Sequence, residues 1–200
     1  MSKRAAARPG AAPAGPGFRF VPATAARWKD LQTLFGPNGA CAGCWCMWFR
    51  LPRRDWVAGR GAGNKRALRK RMSAGAAPGI IAYAGRKPVG WVALAPREEY
   101  VRLAASRTLK PIDARPVWSI SCFFIARPYR GRGLMTQLIE AAASFAHTRG
   151  ATLLEGYPTS PKGRTSDAFL YTRTYGAFVR AGFDVADRPS KAAVILRRAL

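Results

Sequence analysis

Hydrophobic positions recur along this chain with two spacings, and each spacing predicts a different kind of element. The short apolar run at 18–21 predicts a first strand. Apolar positions then recur every three or four residues up to Phe35, which predicts a helix capped by Thr24. Apolar runs on both sides of Gly85, within 80–94, predict a β-hairpin.

The segment between the first helix and the hairpin is predicted to be partly helical. Pro52 suits the N1 position of a helix over 53–60, and Asn64 suits the N-cap of a helix over 64–72. One interrupted helix or two short helices fit this pattern.

The second half of the chain alternates strand and helix patterns. The predicted elements are a central strand at 117–125, a helix at 133–146, a strand at 151–157, a helix from Ser166 to Val179, and strands at 183–185 and 191–197. A strand–helix–strand unit after a hairpin implies both parallel and antiparallel pairing. We therefore expect an α/β (α+β) fold with a mixed, mostly antiparallel central sheet flanked by helices.

Length and composition favour one folded domain. The 200 residues are 48% hydrophobic, which is enough for a single core. Residues 1–17 are mostly Ala, Pro, Gly and Arg, and this predicts a disordered basic tail before a domain at 18–200. No apolar run approaches the roughly 20 residues of a membrane helix. We expect a cytoplasmic protein without membrane contact, and a transit peptide in the tail is the alternative.

The predicted domain carries a large positive charge. Lys and Arg number 34 against 10 Asp and Glu, which gives a net charge of +24. Such a charge attracts nucleotides, acidic small molecules or nucleic acid. A GC-rich coding sequence also produces many Arg, Ala and Gly residues, so the charge alone leaves nucleic-acid binding open.

A glycine-rich loop lies between the predicted central strand and the next helix, with the sequence Arg130-Gly131-Arg132-Gly133-Leu134-Met135-Thr136. Two glycines at such a junction leave backbone N–H groups uncovered, and a helix N-terminus adds partial positive charge. The loop therefore predicts an anion site, and a pyrophosphate is the anion that we expect. Neither a nucleoside-triphosphate loop nor a dinucleotide fingerprint has this spacing.

This loop resembles the acetyl-coenzyme A signature of the GNAT superfamily of N-acetyltransferases, Arg/Gln-x-x-Gly-x-Gly/Ala. Arg130 and Gly133 match its first and fourth positions, whereas Met135 stands where the sixth position is usually Gly or Ala. Residues 178–183, Phe-Val-Arg-Ala-Gly-Phe, resemble the family's Tyr-x-x-x-Gly-Phe ending of the last helix. Together with the order of elements, the resemblance covers roughly 79–200.

The resemblance implies an acyl-CoA-dependent N-acetyltransferase that binds acetyl-CoA and an amine. The amine would attack the acetyl carbon directly, and a backbone N–H between two splayed strands would polarise the thioester carbonyl. The cofactor residues implied are Phe123, Phe124 and Ile125 beside the pantetheine arm, and Arg130, Gly131, Arg132, Gly133, Leu134, Met135 and Thr136 at the pyrophosphate.

The resemblance also indicates where an acid and a base are needed. Phe178 stands where the family usually has the tyrosine that protonates the leaving thiolate, so Tyr175 or Tyr171 is the expected substitute. Packing or substrate contact is the alternative for Tyr175. Glu155, in the strand facing the acetyl group, is the expected base or amine anchor, and a structural salt bridge with one of the many arginines is its alternative.

Three cysteines lie in a segment rich in aromatic residues, and these are Cys41, Cys44 and Cys46. The Cys-x-x-Cys spacing suits zinc, with Cys122 or His147 as a fourth ligand, but no second pair is close in sequence. We expect no metal and small buried cysteines near the acceptor site, and a redox pair is a further alternative. Residues 43–48 resemble a poorly characterised bacterial branch of the superfamily.

No motif identifies the acceptor. A small amine, an amino acid, a protein amine and an RNA amine all remain open, although the positive charge disfavours polycationic acceptors. The rival hypothesis is a non-catalytic CoA-binding or nucleic-acid-binding regulatory protein on the same fold, which Phe178 and the net charge of +24 favour. Either a monomer or a homodimer fits the sequence.

Overall fold

The computed structural model describes residues 17–158, 175–191 and 193–200, and its centre is one seven-stranded sheet. The strands are β1 (Phe18–Pro22), β2 (Gly79–Ala84), β3 (Lys87–Pro96), β4 (Trp118–Ile125), β5 (Leu153–Gly156), β6 (Asp184–Asp187) and β7 (Ile195–Ala199). Their order across the sheet is β1-β2-β3-β4-β5-β7-β6. Strands β4 and β5 pair in parallel and all other neighbours are antiparallel, so the predicted mixed, mostly antiparallel sheet is confirmed.

Helices cover both faces of this sheet. They are α1 (Trp28–Phe35), α2 (Arg53–Ala58), α3 (Ala62–Ser73), α4 (Val101–Ala104), α5 (Leu134–His147) and α6 (Tyr175–Arg180). No helix within residues 17–158, 175–191 or 193–200 is long and apolar enough to span a membrane.

Two hydrophobic cores lie on opposite faces of the sheet, because the alternating side chains of β2, β3 and β4 point to both. Helices α5 and α6 cover the first core, which includes Leu138 and Phe178. Gly90 of β3 allows this close approach, since a Cβ there would lie only 3.2 Å from side-chain carbons of Leu134 and Leu138. Helices α1, α2 and α3 cover the second core, in which the Trp91 side chain is fully buried.

The starts of the first three helical segments differ from the sequence prediction. The Thr24 side chain makes no cap hydrogen bond, and Pro52 is the N-cap of α2 instead of its N1 residue. Helix α3 begins at Ala62, so Asn64 lies inside it. The Asn64 amide is buried and donates to the carbonyls of Gly43 and Trp56 at 3.1 and 3.2 Å, which joins α3 to two earlier segments.

Strand ends also differ from the prediction. Strand β5 is shorter than 151–157, and β7 lies nearer the C-terminus than 191–197 because its buried residues Ile195 and Leu196 pair with the sheet. The predicted tail at 1–17, apart from Gly17, lies outside the described residues. So does the start of the helix predicted from Ser166, of which the described part is α6.

Candidate active site

The glycine-rich loop forms the connection between β4 and α5. Gly131 and Gly133 have φ angles of 70° and 73°, and Gly133 is the N-cap of α5. A Cβ at either glycine would meet no atom within 4 Å, so the left-handed backbone, and not lack of space, requires glycine here. The next residues begin a 14-residue helix whose first N–H groups have no intrahelical acceptor. These N–H groups and the positive end of the helix suit an anion.

Side chains around this loop leave its backbone accessible. The Nε of Arg130 donates to the carbonyl of Ile125 at 3.0 Å. The guanidinium of Arg132 lies 5.8 Å from the centre of the Tyr129 ring. Met135, the departure from the family signature, is half-buried and packs against the first core. Its bulk is therefore accommodated by the core, although glycine or alanine is usual at this position.

Strands β4 and β5 pair over only three residues. The parallel register joins Trp118 to Leu154, Ser119 to Glu155 and Ile120 to Gly156. Strand β4 then continues to Ile125 and pairs only with β3 over that length, as far as the described chain goes. Phe123, Phe124 and Ile125 thus have one backbone edge in the sheet and one edge that no strand among residues 17–158, 175–191 and 193–200 covers. This open edge leads from the end of β5 to the glycine-rich loop.

The Phe178 ring fills the space beside the end of β5. Its side chain is 2% exposed, and its ring centre lies 5.9 Å from that of Phe123 and 5.0 Å from that of Phe183. A Cβ on Gly156 would overlap the Phe178 ring, so the small residue and the large one fit each other. Tyr175, one turn earlier, is half-buried and packs against the first core, and Tyr171 lies outside the described residues.

Glu155 lies in a buried ion-pair network. Its side chain is 1% exposed. One carboxylate oxygen accepts from Arg197 Nε at 2.8 Å and lies 2.7 Å from Arg197 Nη2. The other accepts from Arg97 Nη1 at 3.0 Å and from the Tyr157 hydroxyl at 2.6 Å. These contacts favour the salt-bridge alternative for Glu155 over direct proton transfer from an amine.

The network extends to both neighbouring strands. The Ser119 and Tyr157 hydroxyls lie 2.7 Å apart, and Arg97 also donates to the Leu109 carbonyl at 2.5 Å. Burial, followed by the charge of Glu155, raises the pKa of Tyr157, so its hydroxyl remains protonated at neutral pH. Sequence reasoning missed Arg97 and Ser119, because their partners in this network are distant in the chain. The one available signal was a glutamate within the apolar run that forms β5.

A second buried arginine, Arg50, lies between the cysteine-containing segment and β3. Arg50 is 2% exposed and donates to Glu99 at 2.7 Å and to the Tyr100 hydroxyl at 3.2 Å. It also donates to the carbonyls of Pro78 and Leu94 at 3.2 and 3.3 Å. The same Glu99 oxygen accepts from Arg71 at 3.0 Å. Arg50 therefore ties the cysteine-containing segment to β3 and to the turn before β2.

A cavity of about 440 Å³ lies next to the open part of β4. It is lined by Ala40, Cys41, Ala42, Cys44, Cys46, Trp48, Phe49, Arg53, Trp56, Val57, Arg60, Cys122, Phe123 and Phe124. The lining is apolar apart from two arginines, and no carboxylate is among these described residues. Cysteines predicted to lie near the acceptor site thus line a cavity beside the strand that is expected to hold the cofactor.

Two cysteines of this cavity, Cys44 and Cys46, are thiols whose ionisation is hindered. The Sγ atoms of Cys46 and Cys122 lie 3.6 Å apart, and Trp91 Nε1 donates to Cys46 Sγ at 3.0 Å. Burial raises the pKa of Cys44 to about 11, and the Cys122 thiol, followed by burial, raises the pKa of Cys46. In the described part of the chain, no three His, Cys, Asp or Glu side chains are arranged to hold a metal.

The segment that carries these cysteines has an unusual backbone. Four residues other than glycine have positive φ, namely Ala40 (70°), Ala42 (46°), Trp45 (47°) and Cys46 (51°). Such residues cost free energy relative to glycine, and the surrounding packing must hold them in place. The Trp45 ring stacks on Trp28 with 5.8 Å between ring centres, which anchors the segment in the second core.

A comparison with protein families matches the part of the chain that contains β4, the glycine-rich loop and most of the cavity lining. The model of the Acetyltransferase (GNAT) family matches residues 45–172, more than half of the chain. The chain belongs to the GNAT family of acetyltransferases. This GNAT protein is therefore an acetyl-CoA-dependent N-acetyltransferase that acts on an amine. A search of curated protein sequences finds no match.

Solved structures of other acetyltransferases share the fold of this GNAT protein. An agmatine N-acetyltransferase variant without ligand gives a TM-score of 0.56 at 13% identity, covering 92% of this chain and 99% of its own. A Drosophila melanogaster polyamine N-acetyltransferase gives a TM-score of 0.56 at 14% identity, and the match covers 92% of this chain and 100% of the Drosophila chain. A PaiA N-acetyltransferase from Thermoplasma acidophilum, in complex with coenzyme A, gives 0.53 at 12% identity, covering 92% and 99%. At these identities the similarity concerns the fold.

Proposed function

We propose that this GNAT protein transfers the acetyl group of acetyl-CoA to a primary amine by direct attack. The divergence of β4 from β5 after Ile120 and Gly156 carries the proposal, since it opens one backbone edge between the glycine-rich loop and the cavity. The donor would reach this edge from the loop and the acceptor from the cavity. The two substrates would then meet beside Phe123 and Phe124.

The donor half of the proposed site consists mainly of backbone groups. The N–H groups from Gly131 to Thr136 bind the pyrophosphate, with the Arg130 and Arg132 guanidinium groups and the Thr136 hydroxyl as further donors. The open edge of Phe123, Phe124 and Ile125 forms hydrogen bonds with the pantetheine amides, as an added strand would. One open N–H of β4 polarises the thioester carbonyl.

In the proposed reaction, the neutral amine nitrogen attacks the acetyl carbon. The N–C bond forms as the C–S bond breaks, and the electron pair leaves on the coenzyme A sulfur. The nitrogen releases a proton to water or to a base, and the thiolate gains a proton from an acid or from water. Tyr175 remains our candidate acid. Because Glu155 is occupied by two arginines, we assign it a positioning role that fixes Tyr157 and Ser119 beneath the strand opening.

Calorimetric titration with acetyl-CoA tests the donor site. A Gly133→Val substitution forces a side chain into a left-handed conformation at the N-cap of α5, and we expect at least a hundredfold loss of affinity. Gly75→Val is the matched control, because Gly75 also has positive φ (85°) and open space but lies in the turn after α3. Equal acetyl-CoA affinity of the two variants would refute the assignment of the loop.

The rival proposal is a regulatory protein that binds coenzyme A or nucleic acid without turnover. Phe178 favours it, because the family's usual acid is missing at this position. However, a cysteine thiol has a pKa of about 8.5, and a thiolate of comparable basicity leaves without a strong acid. Salt-sensitive binding to duplex DNA, together with no release of coenzyme A across a broad amine panel, would support the rival.

A further inference from the structure

We infer that the acceptor is a primary amine with an aromatic or similarly apolar body and an acidic group at the opposite end. This inference rests on the proposed function and gives its acceptor a chemical class. It follows from three properties of the cavity beside β4: its aromatic walls, its arginine-containing mouth and its lack of a carboxylate among the described residues.

The walls of the cavity suit a flat apolar group. The Trp48 and Trp56 rings meet edge to face, with 4.8 Å between centres and an angle of 88°. Trp48 and Val57 are exposed although both are large hydrophobic residues. Exposed apolar side chains that line a cavity lose unfavourable water contact when an apolar ligand covers them. An aromatic or branched alkyl body gains the most from these walls.

The mouth of the cavity is positively charged. Arg53 and Arg60 line it and are exposed, and the Arg60 guanidinium lies 5.1 Å from the centre of the Trp56 ring. The Arg102 guanidinium lies 3.7 Å from the centre of the Trp48 ring. Arg102 itself does not line the cavity. A carboxylate at the mouth would accept charge-assisted hydrogen bonds from Arg53 and Arg60.

A second positive charge on the acceptor would be unfavourable here. The nearby acidic side chains are already paired, since Asp55 contacts Arg54 at 3.2 Å and Glu99 contacts Arg50 and Arg71. A diamine or polyamine would bring its second ammonium group close to Arg53 and Arg60, and no carboxylate among the lining residues could pair with that group. This chain therefore differs in acceptor class from structural neighbours that are described as agmatine and polyamine N-acetyltransferases.

The apolar cavity also helps to explain how the amine loses its proton. An ammonium group that enters apolar surroundings has a lowered pKa, so a larger fraction is neutral and nucleophilic. This effect does not require a carboxylate base, and Glu155 is occupied elsewhere. The cavity itself thus favours the reactive form of the amine.

A matched set of three amines tests the acceptor class by its kcat/KM values. The set is 4-(2-aminoethyl)benzoate, 2-phenylethylamine and agmatine. Opposite the amine, the first carries a carboxylate, the second carries no charged group and the third carries a guanidinium. We expect at least a tenfold decrease from the acid to the neutral amine, and a further tenfold decrease to agmatine. Agmatine as the best of the three acceptors would overturn the inference.

Charge variants at the mouth provide the second arm of the test. We expect Arg53→Gln and Arg60→Gln, each made singly, to lower the ratio of kcat/KM for the benzoate to kcat/KM for 2-phenylethylamine at least threefold. Arg54→Gln is the matched control, because it also removes one charge and this exposed arginine also lies on α2 but does not line the cavity. Equal changes of the ratio in the three variants would show that only overall charge matters, and would overturn the inference.

An inserted carboxylate should move the preference toward cations. Val57 lines the cavity and is 53% exposed, so Val57→Asp is expected to fold and to raise agmatine kcat/KM relative to the benzoate at least tenfold. Val185→Asp, on the distant strand β6 where Val185 is 42% exposed, is the control and should leave the ratio unchanged. An unchanged ratio in Val57→Asp would contradict the assignment of the cavity.

Binding experiments separate failure of the inference from failure of the proposed function. If acetyl-CoA does not bind, or binds without transfer to any amine, the proposed function fails. Calorimetric titration of the protein itself with 4-(2-aminoethyl)benzoate and with agmatine then still tests the cavity. Tighter binding of the benzoate supports the acceptor class, and equal or weaker binding overturns it.

Discussion

The two halves of the proposed active site are built in different ways. The proposed donor half consists of backbone groups of β4 and of the Arg130–Thr136 loop, which follow one another in the sequence. The proposed acceptor half consists of side chains from the strained 40–46 segment, from α2 and from β4. A backbone site built from neighbouring residues needs only a few glycines and a helix start. A side-chain cavity requires the packing of the entire second core.

The largest effect that we expect concerns the strand junction between the two halves. Glu155→Gln removes the carboxylate that pairs with Arg97, while Arg197 keeps its second partner, Asp113, at 2.6 Å. Loss of one member of a buried ion pair costs about 3–5 kcal/mol. Chemical denaturation measures this free energy of unfolding. If Glu155 only positions other groups, the activity that remains keeps its pH profile.

Glu140→Gln is the control for this substitution. Glu140 on α5 pairs with Arg198 at 2.8 Å, but its side chain is 49% exposed, so we expect a loss of at most about 1 kcal/mol. Similar losses in the two variants would contradict the description of the Glu155 network as buried and essential. A pH profile of acetyl transfer that loses its acidic limb in Glu155→Gln would restore the direct-base hypothesis.

An intermediate effect is expected from overfilling the end of β5. Gly156→Ala places a Cβ against the Phe178 ring, and overpacking of this kind costs about 1–3 kcal/mol. A second substitution, Phe178→Leu, should recover part of the loss because it shortens the side chain over Gly156. Gly63→Ala on α3, where a Cβ meets no atom within 4 Å, should be neutral or stabilising. Additive losses in the double variant would refute the proposed fit.

The smallest effect that we expect is slow alkylation of Cys44, a cysteine that lines the cavity. Because burial raises the pKa of Cys44 to about 11, little thiolate is present at neutral pH. We expect iodoacetamide to modify Cys44 at pH 7.5 at least tenfold more slowly than a cysteine in an unfolded peptide. Peptide mapping by mass spectrometry measures the rate, which should rise steeply toward pH 11. A rate like that of the peptide would show that the cavity does not shield this thiol.

The backbone conformation of the glycine-rich loop could be predicted from the sequence, whereas the packing around the cavity could not. The role of Gly131 and Gly133 in a strand-to-helix turn could be predicted from the neighbouring residues, because such a turn depends on local backbone conformation. The contact between Cys46 and Cys122 spans 76 positions, and no local pattern encodes it. The Glu155 network likewise depends on strand register, which places Ser119 opposite Glu155. The local pattern predicts Asn64 as a helix cap, because the sequence does not show its distant partners, the carbonyls of Gly43 and Trp56.

The fit between Gly156 and Phe178 also has an evolutionary consequence. The tip of the Phe178 ring lies over Gly156, at the end of β5 where the strand opening begins. Phenylalanine and tyrosine codons differ by one base, so a single point mutation would place a hydroxyl near this opening. We expect the two positions to vary together among descendants of this gene, with small residues at 156 whenever an aromatic ring occupies 178.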